Sequence, residues 1–281
     1  MKHISNIDKY DVYDLSNEIS NVKLIASDMD GTLLNSDHSL PTDFFDILKK
    51  LEENGTHFVV ASGRAYYTLY KNFQPYSDHI SYICENGACV VENGKITYKN
   101  VLSKEHLKKC IDLLYDIDDI YIVLCGSKGA YILDLPEWVE EVDSYYSNRF
   151  IVEDLRDIDD DIFKIGIYDT KTPHENSYKK LFPYLNEDLS LVVSGRCWLD
   201  IMNKNVNKGV ALQNIQKQFN VGYNKTMAFG DFYNDIELLS MAKYSFVMEN
   251  ANEDMKIYGK YIAPPNTQCG VTEIIKKYVL K

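Results

Sequence analysis

Two aspartates one residue apart are the first residues in this chain that could do chemistry. In Asp28-Met29-Asp30-Gly31-Thr32-Leu33 they follow the largely apolar run Val22-Lys23-Leu24-Ile25-Ala26-Ser27. If that run is a strand ending at Asp28 and Gly31 turns the chain, both carboxylates face one small volume. Like charges so close repel unless a proton or a cation offsets them. A hard cation such as Mg2+ is the natural partner of carboxylate oxygens. A solvated acidic turn is the other reading of these residues alone.

Three further segments carry side chains suited to a phosphate. Ala61-Ser62-Gly63-Arg64 offers a hydroxyl and backbone N–H groups where a strand gives way to a helix, the arrangement that binds anions at helix N-termini and nests. Asn207-Lys208-Gly209 precedes a helix, and its lysine could set a fixed positive charge against a phosphoryl group. Gly230-Asp231-Phe232-Tyr233-Asn234-Asp235 lies between a strand and a helix. Taken singly, Ser62-Gly63 is also a common loop pair, Lys208 a surface lysine and Asp235 a helix cap.

These residues need a scaffold that gathers them. Val22–Ser27, His57–Ala61 and Ile80–Cys84 read as strands buried on both faces of a parallel sheet. Pro41–Asn54, with Phe44, Phe45, Leu48 and Leu51 at helical spacing, and Tyr66–Phe73 read as the helices between them. In open α/β sheets ligands sit outside the carboxyl ends of the strands, so Asp28, Ser62 and Asn86 come together from topology alone. The middle of the chain reads differently. Ala88–Glu92 and Lys95–Lys99 flank the hairpin signal Asn93-Gly94. A helix over about 103–115, strands over 120–124 and 130–133, a helix over 136–148, a strand over 163–168, a helix over 173–185 and a strand pair over 190–194 and 197–202 follow. From Lys208 the α/β alternation returns, with strands over 225–229, 244–248 and 261–263 and a closing helix over 271–278. The expected fold class is α/β: a Rossmann-like parallel sheet core with an inserted α+β cap domain. The expected divisions are an N-terminal extension 1–21, a core 22–87 and 204–281, and a cap 88–203.

The 281 residues are 45% hydrophobic and 26% charged, enough to bury a sizeable core. A net charge of −12 with scattered Lys and Arg argues against a nucleic-acid partner. No window reaches the ~20 apolar residues of a membrane span, and the acidic N-terminus lacks the apolar stretch of a signal peptide. The six cysteines include no CxxC pair, so reduced thiols in a cytoplasmic protein are expected rather than zinc or disulfides.

Together the four segments resemble the haloacid dehalogenase-like hydrolase superfamily in order, spacing and placement. Its four motifs resemble Asp28–Leu33, Ser62 in Val59–Arg64, Lys208, and Gly230-Asp231 with Asn234-Asp235. Glu85-Asn86-Gly87-Ala88 and the insertion between the second and third motifs are similar to the Cof-like subfamily with a C2-type cap. The resemblance runs from about Val22 to the C-terminus. It implies a Mg2+-dependent phosphatase that hydrolyses small phosphomonoesters, a sugar phosphate or a phosphorylated cofactor or nucleotide, through an aspartyl-phosphate intermediate, as monomer or homodimer. Asp28 would be the nucleophile and Asp30 the general acid and base. Asp28, Asp231 and the carbonyl of Asp30 would hold the metal, with Asp235 supporting the metal or the lysine. Ser62 and Lys208 would hold phosphate oxygens. Asn234 would contact phosphate, Gly63 would admit it, and Arg64, Glu85 and Asn86 are candidates at the substrate rim. On the cap only the loops 126–129 and 195–196 stand out. An aspartate at position 30 favours hydrolysis or phosphomutation over a long-lived phosphoenzyme. A sugar phosphomutase is the nearest alternative and a non-catalytic phosphoester-binding regulator the more distant one.

Overall fold

The computed structural model describes residues 19–280 except 137, 139–145, 186 and 195. The acidic segment before Ile19, most of the helix expected over 136–148 and Gly195 lie outside the described residues. Among the described residues fourteen strands, numbered in chain order, form two sheets. The first holds β1 Leu24–Asp28, β2 His57–Ala61, β3 Ser81–Cys84, β4 Cys89–Glu92, β5 Lys95–Lys99, β12 Thr226–Gly230, β13 Tyr244–Met248 and β14 Tyr261–Ala263. The second holds β6 Ile120–Gly126, β7 Ala130–Leu133, β8 Arg149–Val152, β9 Ile162–Asp169, β10 Leu189–Val193 and β11 Trp198–Asn203.

The first sheet runs β14-β13-β12-β1-β2-β3-β4-β5, parallel as far as β3. Every residue of β1, β3, β12 and β13 is buried, which is why these strands read as short unbroken apolar runs. Helices Phe44–Glu53 and Gly270–Tyr278 cover one face through Phe44, Ile47, Leu51, Ile274 and Ile275. Helices Lys208–Gln218 and Ile236–Ser240 cover the other through Ala211, Leu212, Ile215, Leu238 and Leu239. The chain order reverses on either side of β1, which pairs with β2 and β12. That switch point opens a crevice at the carboxyl ends of these strands.

The hairpin β4–β5 departs from expectation. Its turn forms at Asn93-Gly94 as the sequence suggests, but β4 pairs antiparallel with β3 and extends the first sheet. The second sheet therefore begins after residue 100 rather than at 88. A turn signal identifies a hairpin, but not the sheet that its outer edge joins. The six-stranded sheet runs β10-β11-β9-β6-β7-β8. Helices Lys104–Leu114 and Ser177–Leu185 pack on it through Leu107, Ile111, Leu181 and Leu185. Where the chain passes between sheets, Asn203 Nδ2 donates to Asn100 Oδ1 (2.6 Å) and to the Val101 carbonyl (2.9 Å). Those bonds lace the two crossings together.

Candidate active site

The residues at the ends of β1, β2, β3 and β12 and at the start of helix Lys208–Gln218 meet at one place. Asp28 closes β1 and is 7% exposed. The chain then makes one wide turn in which Gly31 adopts φ +79°. A Cβ at Gly31 would lie 2.3 Å from Asp231 Oδ2, so the turn and the β12 loop fit only without a side chain there. Thr32 Oγ1 donates to Asp231 Oδ1 at 2.8 Å and fixes that carboxylate.

Lys208 is no surface lysine. It is fully buried, and its Nζ donates to Asp28 Oδ1 and to Asp235 Oδ1, each at 2.6 Å. Asn207 caps its helix by accepting the Val210 N–H (2.8 Å). Gly87, at φ +104°, lets the loop after β3 close on this turn: a Cβ there would lie 2.2 Å from the Asn207 carbonyl oxygen. Asp235 is buried and has no free oxygen. Its Oδ1 takes Lys208, and its Oδ2 accepts the backbone N–H groups of Asp231 (3.0 Å) and Phe232 (3.2 Å).

Oxygens of Asp28, Asp231 and Asp235 lie within 4.8 Å of one another. Three carboxylates against one ammonium leave two negative charges unmatched. Burial and then the Asp235 charge raise the Asp28 carboxyl well above its ordinary range, with Lys208 pulling the other way. Burial and Asp235 likewise push Asp231 up to about 6. Burial works against the Lys208 charge, but the two carboxylates outweigh it and its pKa lies above the ordinary lysine value. Among the described residues, Asp28 and Asp231 each keep one oxygen free of hydrogen bonds. The free Asp231 oxygen and that surplus charge suit a divalent cation.

The remaining expected residues fall into two groups. A cavity of about 940 Å3 is lined by Asp28, Asp30, Ser62, Gly63, Arg64, Asn86, Asp231 and Asn234. Lys208 and Asp235 stand behind it, and Glu85 does not reach it. Glu85, 2% exposed, is instead turned inward at φ +49° and ion-paired with Lys164 of β9 at 2.9 Å. Ser62 Oγ accepts the Arg64 N–H at 3.1 Å. Arg64 grips Asp30 with two bonds, Nε to Oδ2 (2.8 Å) and Nη2 to Oδ1 (2.5 Å). His38 Nδ1 lies 3.3 Å from the same Oδ1. Asn234 Nδ2 donates to Asn86 Oδ1 (3.1 Å).

Sequence reading missed the second sheet's share of the cavity: Lys164, Ser194, Trp198 and Asp200, with Tyr146 beside them. The available signal was a charge interrupting an apolar strand, Lys164 within Ile162–Asp169 and Asp200 within Trp198–Asn203. Of the two cap loops singled out, Arg196 lines the cavity. The loop 126–129 does not; it rests on the first sheet's side through Tyr67 Oη donating to the Ser127 carbonyl (2.6 Å). All six cysteines are free thiols. Among the described residues no helix is long and apolar enough to cross a membrane.

Comparison with known proteins gives this arrangement a context. A family described as haloacid dehalogenase-like hydrolase matches residues 25–275. The chain is 32% identical over 265 residues to the 5-amino-6-(5-phospho-D-ribitylamino)uracil phosphatase YbjI of Escherichia coli (strain K12), covering 92% of this chain and 97% of that one. It is 28% identical to the phosphatase YwpJ of Bacillus subtilis (strain 168), covering 91% and 99%. Among solved structures it is similar to SMU.1108c from Streptococcus mutans UA159, with a TM-score of 0.82 at 31% identity over 92% of this chain and 98% of that one.

Proposed function

The chain belongs to the haloacid dehalogenase-like hydrolases and is a phosphoric monoester hydrolase, and from that premise we propose that it works through an aspartyl phosphate on Asp28. The observation that carries this reading is the state of the Asp28 carboxylate. One oxygen is held by a buried ammonium and the other is free at the cavity wall. Lys208 thus fixes the attacking group and balances part of its charge.

The free oxygen of Asp28 forms a bond to phosphorus as the bond from phosphorus to the leaving oxygen breaks. Ser62 already accepts one hydrogen bond from Arg64, so its own proton is available for a non-bridging oxygen. Asp30 delivers a proton to the departing alkoxide, then takes one from the water that attacks the phosphoenzyme and restores Asp28. Both Asp30 oxygens are held by Arg64, so this guanidinium must release one of them as the leaving group arrives. Asp28, Asp231 and the carbonyl of Asp30 would hold Mg2+, which when bound offsets the charge between carboxylate and phosphate. Asp235 keeps Lys208 and the 231–232 backbone in place.

The second sheet, from about residue 100 to 203, acts as the cap that covers the leaving group. Its substrates are small phosphorylated metabolites, and the net charge and free thiols fit work in the cytoplasm. A phosphomutase would need a second phosphate grip. The only arginines at the cavity, among the described residues, are Arg64, already committed to Asp30, and Arg196, which favours hydrolysis. Asp28→Asn should lower turnover of a phosphomonoester by more than about 1,000-fold with the fold intact. Activity within tenfold of the parent, at about equal protein, would overturn the nucleophile assignment. The compound in the name of the Escherichia coli relative is the first substrate to assay.

A further inference from the structure

We propose that Asp200 is the residue by which this enzyme reads its leaving group, selecting neutral, hydroxyl-bearing groups and rejecting those that carry a second anion. The inference rests on the phosphatase reading of the site and adds to it.

Asp200 lies on β11 and is 3% exposed, yet lines the cavity. Its Oδ2 accepts Asn86 Nδ2 at 3.4 Å and faces Lys164 Nζ at 3.6 Å. Its Oδ1 accepts no hydrogen bond among the described residues. Asp200 borders the cavity, so a hydroxyl of the leaving group can supply the donor that Oδ1 lacks. Asn86 in turn accepts from Asn234 and packs against Gly63, so Asp200 sits one side chain away from the phosphate end.

Lys164 does not compensate the cavity with a positive charge of its own. Its ammonium is bound to Glu85 at 2.9 Å and donates to the Gly63 carbonyl at 3.1 Å, with Asp200 as the third neighbour. Two carboxylates around one ammonium leave one negative charge, and the carboxylate that faces the cavity is Asp200. This wall accepts hydrogen bonds and repels anions. Lys164 is a positioning residue: it orients Asp200 and anchors β9 to the loops after β2 and β3. Two residues before Asp200 on the same strand, and so on the same face, Trp198 adds an aromatic surface to the cavity. Among the described residues, the arginines at the cavity are Arg64, bound to Asp30, and Arg196, exposed at the rim. The fitting substrate class is a polyol or sugar monophosphate whose hydroxyls donate to Asp200.

A matched pair tests this. Glucitol 6-phosphate and 6-phosphogluconate share their hydroxyl chain and differ at the far end, an alcohol in one and a carboxylate in the other. The parent enzyme should favour glucitol 6-phosphate in kcat/KM by at least about tenfold, because a site built to accept from a hydroxyl discriminates strongly. Asp200→Asn should shrink that preference to below about threefold, and should lose at least about tenfold more on glucitol 6-phosphate than on phenyl phosphate, whose leaving group has no hydroxyls. Equal or better turnover of 6-phosphogluconate by the parent overturns the proposal, as does an Asp200→Asn loss that is the same on phenyl phosphate. A preference for 6-phosphogluconate that disappears in Arg196→Ala would make Arg196 the reader instead. If Asp200→Asn does not fold, judged by thermal denaturation, the parent's preference decides alone. Turnover of phenyl phosphate by Asp28→Asn within about tenfold of the parent would refute the nucleophile, a failure separate from that of Asp200.

Discussion

Lys208→Met removes the ammonium shared by Asp28 and Asp235 while keeping a side chain of similar length. Both carboxylates then sit at 7% and 0% exposure without their common partner. Taking one member from a buried ion pair costs about 3–5 kcal/mol. For a chain of this size that is a fall in Tm of about 6–20 °C. The pH dependence follows from the directions of the shifts. Asp28 binds its proton more tightly folded than unfolded, so its burial weighs more as pH rises above the ordinary carboxyl value. Lys208 is raised above its unfolded value, so its stabilisation is complete through neutral pH and is lost only at strongly alkaline pH. The variant's deficit should therefore be largest near about pH 8 and shrink toward about pH 5, where the orphaned Asp28 carboxylate can protonate. Differential scanning calorimetry in EDTA, with no cation to replace the ammonium, reads this. A Tm drop below about 2 °C, or one independent of pH, would refute the reading of Lys208 as the keystone of a buried charge cluster.

Other consequences are equally open to measurement. Gly31→Ala must place a Cβ against Asp231 Oδ2 at positive φ; it should cost about 1–2 kcal/mol of stability and at least about 100-fold in kcat, and near-parental kinetics would contradict the packing described. EDTA should abolish turnover and Mg2+ restore it, and Asp231→Asn should raise the Mg2+ needed for half-maximal activity by at least about tenfold; an unchanged Mg2+ requirement would remove Asp231 from the metal site. His57, half-buried against Phe219 and bonded to Ser81, has its pKa lowered by burial to about 4 from 6.5. The unfolded chain binds that proton first, so stability should rise between those two values, by at most about 3 kcal/mol; denaturant titrations of His57→Gln should show a flatter profile over that range.

Much of the core was legible because a parallel sheet buries both faces of its strands. Val22–Ser27, His57–Ala61 and Ile80–Cys84 read as apolar runs for that reason, and the chemistry followed because polar residues can stand only where those runs stop. Asp28, Ser62, Asn86 and Asp231 were singled out by position before any likeness was invoked. Lys208 was ambiguous, since nothing in Asn207-Lys208-Gly209 says that the lysine points inward. Its burial depends on two carboxylates, at positions 28 and 235, that only the folded sheet brings to it. Glu85 was misplaced for the matching reason. Its neighbourhood in sequence is the phosphate site, but its partner Lys164 belongs to the other sheet. β8 went unread because Phe150 and Ile151 are exposed and the expected helix ran up to it. The second sheet's contribution through Asp200 was invisible as a motif, because a single charge in a strand has no spacing to match.

The most direct test of the central claim is a search for the phosphoenzyme itself. Asp30→Asn removes the group that activates the hydrolytic water and should let the covalent state accumulate. Acid quench after mixing with 4-nitrophenyl phosphate, whose leaving group departs without a proton from Asp30, followed by peptide mapping by mass spectrometry, should find one phosphoryl group on the peptide containing Asp28 and none in Asp28→Asn. A phosphoryl group on any other residue, or full turnover with no labelled peptide in either variant, would contradict nucleophilic attack by Asp28.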